Sequence, residues 1–147
     1  APRTENHLPV APGVPPKAID SRANDDGTIP DPELHQQTVA AAVASGRSTV
    51  LVVSTPVFCV SKFCGPITDA VQGLAKEFAD RLGFVHVEVW RDFEAKTVNK
   101  AAAEWITAGD AHEPWVFLIG GDGKVLRRWD NVASEPDMRA AVQQSIG

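Results

Sequence analysis

The chain has only two cysteines in 147 residues, fewer basic than acidic side chains (14 against 19, net charge −5), and no long apolar run. Each scarcity excludes something. Two cysteines rule out the disulfide-dense scaffolds of small secreted domains. The basic residues are scattered, with Arg127-Arg128 the only adjacent pair. That leaves no patch for phosphate neutralisation, so no nucleic-acid partner is expected. No stretch approaches the roughly 20 apolar residues of a membrane span, so none is expected in this chain. Ordinary proportions of apolar (44%) and charged (22%) residues then predict a globular domain with a proper core.

Proline is unevenly spread. APRTENHLPVAPGVPP (1–16) holds five and shows no apolar periodicity, which is linker composition. Residues 1–27 are expected to be an irregular lead-in or linker, and 28–147 the domain. No initiating Met and no signal peptide is visible. We expect an extracytoplasmic chain, secreted or the soluble domain of a membrane-anchored protein.

From residue 31 onward the pattern is regular. Asp31-Pro32-Glu33-Leu34 predicts a helix start with Asp31 as N-cap, running to a stop at Gly46. STVLVVS (48–54) predicts a strand covered on both faces. Ile67, Ala70, Val71, Leu74, Ala75 and Phe78 recur at helical spacing over 67–82. FVHVEVW (84–90) alternates as a strand, 97–109 reads as a helix, and WVFLIG (115–120) as a strand. Asp122-Gly123 marks a hairpin into 124–132, and Ser134-Glu135-Pro136-Asp137 caps a last helix. The order is α–β–α–β–α–β–β–α, with no internal repeat. Strand–helix–strand units imply a parallel core, and the hairpin an antiparallel edge.

Both cysteines fall in STPVFCVSKFCGPITD (54–69). Cys64 precedes the predicted helix, where unpaired N–H groups favour an anion, and Lys62 adds positive charge; both lower a thiol pKa. Pro66 suits the first helical turn. Five residues of regular helix would put Cys59 on another face, so a Cys59–Cys64 bridge requires Cys59 in a loop, and Pro56 favours one. A permanent staple is the plain alternative, but so short a ring removes little unfolded-state entropy, about 2 kcal/mol or less.

The element order, with FCGPI (63–67) after a buried strand and EPWVFLIGGDGKV (113–125) further on, resembles the thioredoxin-like superfamily over roughly 32–147. More narrowly it looks like a thioredoxin or TlpA-like domain with Cys-x4-Cys in place of Cys-Gly-Pro-Cys. The resemblance implies an α/β fold with a mixed four- to five-stranded central sheet and flanking helices. It matches Cys64 to the nucleophilic cysteine and Pro114 to the cis-proline beside it. Ile67 stands where the family has its second cysteine, and the first core strand carries no carboxylate.

The implied activity is thiol–disulfide oxidoreduction, with Cys64 as nucleophile and Cys59 resolving. Pro114, Glu113 and Phe63 are the substrate-binding candidates, and Lys62 tunes the thiol. The implied partners are a protein or small-molecule disulfide and an upstream thiol reductant, with no cofactor and no resident metal. Two other resemblances stay open. Thr55-Pro56…Cys59…Cys64 is similar to Q-type peroxiredoxins, with Cys59 peroxidatic. Sco-type copper chaperones use two cysteines and a distant His, here Cys59, Cys64 and His112, a set that suits Cu(I). A non-catalytic interaction module with a structural disulfide is the last alternative. His86 is expected to be a packed or edge residue of its strand, and His7 and His35 carry no signal.

Overall fold

The structure is a computed structural model that describes residues 15–24, 26, 28–55, 57, 64–92, 94, 95, 97–99, 102, 114–130 and 134–146. Among the described residues, the first core strand β1 is Thr49–Ser54, and all six of its residues are buried. A run of β-branched and aliphatic side chains tolerates this because both faces of the sheet are covered. β1 pairs in parallel with β2 (Gly83–Glu88), from Thr49 opposite Gly83 to Ser54 opposite Glu88. A parallel pair needs a crossover. It is supplied by the 15-residue helix α2, Cys64–Phe78.

On its other edge β1 pairs antiparallel with β5 (Trp115–Ile119), Val53 lying opposite Trp115. β5 pairs antiparallel with β6 (Val125–Asp130), giving the sheet order β2-β1-β5-β6. The final helix α3, Glu135–Ile146, begins at Ser134, whose hydroxyl accepts the Asp137 N–H at 3.2 Å. The result is a mixed four-stranded sheet with flanking helices, as the order of elements in the sequence implies.

Strand alternation separates two cores. Val50, Val52, Phe84, Val116 and Leu118 pack under α2 (Ile67, Val71, Leu74, Ala75, Phe78) and α3 (Met138, Ala141, Val142). The opposite face, with Leu51, Val53, Val85, Val87, Trp115, Phe117 and Ile119, is covered by Val39 and Ala42 of α1 (Val39–Ala44). The hairpin forms at Asp122-Gly123: Gly123 has φ 84°, and Asp122 Oδ1 accepts the Lys124 N–H at 3.0 Å. Beside it, a Cβ on Gly121 would lie 2.2 Å from the Gly46 carbonyl oxygen, so only glycine fits there. Trp115 is buried and stacks on Phe117 at 6.0 Å, and Trp129 is half-buried against the α2/α3 core.

Two element predictions are corrected. The continuous helix expected from Asp31 to Gly46 is broken. Pro32–Leu34 forms a 3₁₀ turn, and α1 starts only at Val39, its N-cap Thr38 accepting the Ala41 N–H at 3.1 Å. Asp31 precedes the 3₁₀ turn but makes no side-chain cap, because its carboxylate is drawn into the protein interior. The helix expected over 97–109 does not begin there either. Thr97–Val98 is a short strand, β4, pairing antiparallel with β3 (Trp90–Asp92). Most of 99–109 lies outside the described residues.

The segment ahead of residue 28 is tied to the body of the protein from Pro15 on. Pro16–Ala18 forms a 3₁₀ turn, and Ala18, Ile19, Asp20, Ser21 and Ala23 are buried. Asn99 Nδ2 donates to the carbonyls of Ala18 (2.9 Å) and Glu88 (2.8 Å), locking that turn to the end of β2.

Candidate functional site

Parallel pairing puts the carboxyl ends of β1 and β2 at one edge of the sheet, and the antiparallel β5 begins at that same edge. Cys64 is the first residue of α2, which returns from that edge. The second turn of α2 is held there by a 2.7 Å hydrogen bond between the Ser54 and Thr68 hydroxyls, both buried. Pro114, which is buried, directly precedes β5 beside the end of β1. The backbone start of the cysteine helix and Pro114 therefore share one end of the sheet. Cys59, Lys62, Phe63, His112 and Glu113 lie outside the described residues. No acidic residue occurs in the first turn of α2.

The same end of the sheet holds a feature that sequence reasoning missed. Asp20, Asp31, His35 and His86 are all buried, and one potential ligand atom from each lies within 4.8 Å of the other three. His86 comes from the middle of β2. His35 follows the Pro32–Leu34 turn, and Asp31 precedes it. Asp20 comes from the lead-in just after the Pro16–Ala18 turn.

The four inward atoms are His35 Nε2, His86 Nδ1, Asp20 Oδ2 and Asp31 Oδ2. His86 Nδ1 lies 3.2 Å from His35 Nε2, 3.4 Å from Asp20 Oδ2 and 3.5 Å from Asp31 Oδ2. His35 Nε2 lies 3.6 Å from Asp20 Oδ2 and 3.3 Å from Asp31 Oδ2. The two rings stand nearly perpendicular, 83° apart.

Outer contacts hold this set. His86 Nε2 lies 3.1 Å from the Ser54 carbonyl. Arg22 donates to Asp20 Oδ1 from its backbone N–H (2.8 Å) and Nε (3.1 Å), and its Nη2 lies 3.0 Å from Asp20 Oδ2 and 2.9 Å from Asp31 Oδ2. Neither Asp31 oxygen meets a donor with hydrogen-bond alignment among the described residues. Arg22 Nη1 reaches Asp69 of α2 at 3.3 Å, and the Ser21 hydroxyl accepts the Val57 N–H at 2.9 Å. The cluster is thus connected both to α2 and to Val57, two residues ahead of Cys59.

The electrostatics follow from burial. Burial opposes charge on Asp20, but His35 and His86 outweigh it and hold that carboxyl well below the usual range. For Asp31 burial prevails: together with the adjacent Asp20 it pushes the carboxyl up against the pull of the histidines. Burial also opposes a charged His86, yet Asp20 and Asp31 push it up to about 9. Glu88, the last residue of β2, is pushed up by burial, against the charge of His86 and the N–H of Ser21 at 2.6 Å and of Trp90 at 3.1 Å.

Two signals in the sequence pointed here. His86 and Glu88 are polar at alternate positions of a strand whose neighbour β1 is aliphatic, and Asp31 and His35 are four apart inside a proline-punctuated segment. His86 is packed, as expected of a strand residue; His35, which carried no signal, is 3% exposed and lies at the centre of the cluster.

No family model and no curated protein matches the chain. Solved structures do. A thiol:disulfide interchange protein of the thioredoxin family from Chlorobium tepidum TLS is 16% identical, covering 76% of this chain and 88% of its own, with a TM-score of 0.49. Trgpx, solved in apo form, is 17% identical, covering 75% of this chain and 87% of its own, with a TM-score of 0.45. The exposed lipoprotein thioredoxin of Streptococcus pneumoniae is 13% identical, covering 69% of this chain and 87% of its own, with a TM-score of 0.43.

Proposed function

We propose that the chain is a thiol–disulfide oxidoreductase. The supporting observation is the position of Cys64, first residue of a 15-residue helix that returns from the carboxyl end of β1, with the start of β5 alongside. At a helix start the unpaired N–H groups and the dipole stabilise a thiolate. Pro66 suits the first turn because it has no N–H of its own to leave unpaired.

The Cys64 thiolate attacks one sulfur of a substrate disulfide and expels the other as a thiolate. Cys59, as thiolate, then attacks the Cys64 sulfur of the mixed disulfide. The second substrate thiolate leaves, and Cys59–Cys64 is left oxidised. An upstream dithiol reduces it, passing on two electrons. Pro114, in the cis form, with Glu113 and Phe63 presents substrate to Cys64, and Lys62 lowers the thiol pKa. No helix among the described residues is long and apolar enough to cross a membrane. We assign the chain to an extracytoplasmic compartment, with 28–147 as the domain and 1–27 as a lead-in whose last residues dock on it.

The test is a glutathione redox titration with mass spectrometry of trapped species. Cys64→Ser abolishes reduction of a small aromatic disulfide, and Cys59→Ser accumulates the mixed disulfide at Cys64. Rapid peroxide consumption with a sulfenate at Cys59 in Cys64→Ser would replace this reading by a peroxidase. A pair resistant to mild reductant would reduce it to a staple.

A further inference from the structure

The geometry points to a closed, tetrahedral site for a divalent cation of the zinc class, held by Asp20, Asp31, His35 and His86, that clamps the lead-in onto the carboxyl ends of β1 and β2. The distances carry this. Five of the six separations among the inward atoms lie between 3.2 and 3.6 Å, and the sixth, between the two carboxylate oxygens, is within 4.8 Å. Four ligands on a tetrahedral ion with bonds of about 2.0–2.2 Å stand about 3.3–3.6 Å apart. Charge-assisted hydrogen bonds between the same groups would draw them to about 2.7–2.9 Å. The centre of such a tetrahedron lies about 2.1 Å from each corner, too close for a water molecule, whose hydrogen bonds run to about 2.8 Å.

The donor set selects the ion. Two imidazoles and two carboxylates suit Zn²⁺. Calcium needs six to eight oxygens at about 2.3–2.6 Å, and magnesium an octahedron of oxygens. Cu(I) calls for soft thiolates, which this set lacks.

The outer contacts are those of a prepared site. A carbonyl only accepts, so the 3.1 Å contact to Ser54 keeps a proton on His86 Nε2 and leaves Nδ1, facing the cluster, as the nitrogen that gives up its proton to a metal ion. The Arg22 N–H and Nε occupy Asp20 Oδ1, while Oδ2 faces the centre and accepts from Arg22 Nη2 at 3.0 Å on its outer side. Asp31 is fully buried and accepts no aligned hydrogen bond from the described residues. The Arg22 guanidinium, 2.9 Å away but without that alignment, and a bound cation would together offset the cost of burying this carboxylate. A divalent ion together with Arg22 balances Asp20, Asp31 and the Asp69 carboxylate that Arg22 also reaches at 3.3 Å. Four protein ligands fill a tetrahedron and leave no open position, so the ion's role is structural. Three ligands lie within 20–35 and the fourth on β2, so the ion closes a long loop.

The experiment uses the full chain, purified without an affinity tag and analysed by mass spectrometry for metals. About one equivalent of Zn²⁺ is expected, retained by a Cys59→Ser/Cys64→Ser double variant. Asp31→Asn and His35→Gln each lower Zn²⁺ affinity by at least about 10-fold in a chelator competition. If those variants fail to fold, the wild type decides: Co²⁺ exchange gives the strong visible bands of four-coordinate cobalt without a thiolate charge-transfer band. Absence of bound metal in the wild type, its loss with the cysteine pair, or a six-coordinate cobalt spectrum would overturn the site.

Discussion

On the α2 side of the sheet, β1 presents Val50, Val52 and Ser54, and β2 presents Phe84, His86 and Glu88, all six buried. Along two neighbouring strands, the same face passes from hydrocarbon to charge. At the amino end the strands meet Leu74, Phe78 and Leu82, and burial of apolar area holds them. At the carboxyl end they meet Ser21, Asp20, Asp31, His35 and Arg22, which satisfy polar groups rather than fill volume. One end depends on packing and tolerates a similar shape. The other depends on charge balance, and its partners fail together when one is removed.

His86→Ala breaks the charged end. It removes a partner from both aspartates, and we expect a loss of about 3–5 kcal/mol in denaturant unfolding. Prior chelation of metal shrinks that loss; equal losses with and without chelator would show that the histidine acts alone. Leu74→Ala tests the hydrocarbon end. It opens a cavity under α2 and costs about 2–5 kcal/mol, with the same loss in the presence and absence of chelator. Chelator sensitivity at Leu74 would mean that the two ends are a single cooperative unit.

Smaller effects sharpen the contrast. Thr38→Ala removes the cap of α1 on the opposite face and lowers stability by about 0.5–2 kcal/mol, leaving metal content unchanged. Arg139 of α3 pairs with Glu77 and Glu135 at the surface. Arg139→Ala has the smallest effect on stability of the four, with a dependence on salt that the buried charges do not share.

The legible parts of the fold were those whose pattern is local. The β1 run, the α2 spacing from Ile67 to Phe78, the Asp122-Gly123 turn and the Ser134 cap each need only a few neighbouring residues, and each is found where expected. The Asp31 N-cap failed for an instructive reason. A helix-start signature assumes that the side chain serves its own backbone, and here it serves residues far along the chain. Likewise Thr97 and Val98 pair with β3 rather than begin a helix, because a strand partner outcompetes their weak helical preference.

The charged cluster was not legible at all as a unit. His35 and His86 are 51 residues apart, and Asp20 lies in a segment whose composition reads as linker. Residue order determined which stretches become strands and helices, and it put Cys64 at a helix start, because hydrophobic period and capping act over one or two turns. Only the folded chain decided that two aspartates and two histidines face one point. The separations that define that point come from the pairing of β1 with β2 and from the docking of residues 15–35 across their ends, and neither is encoded in any single window of the chain.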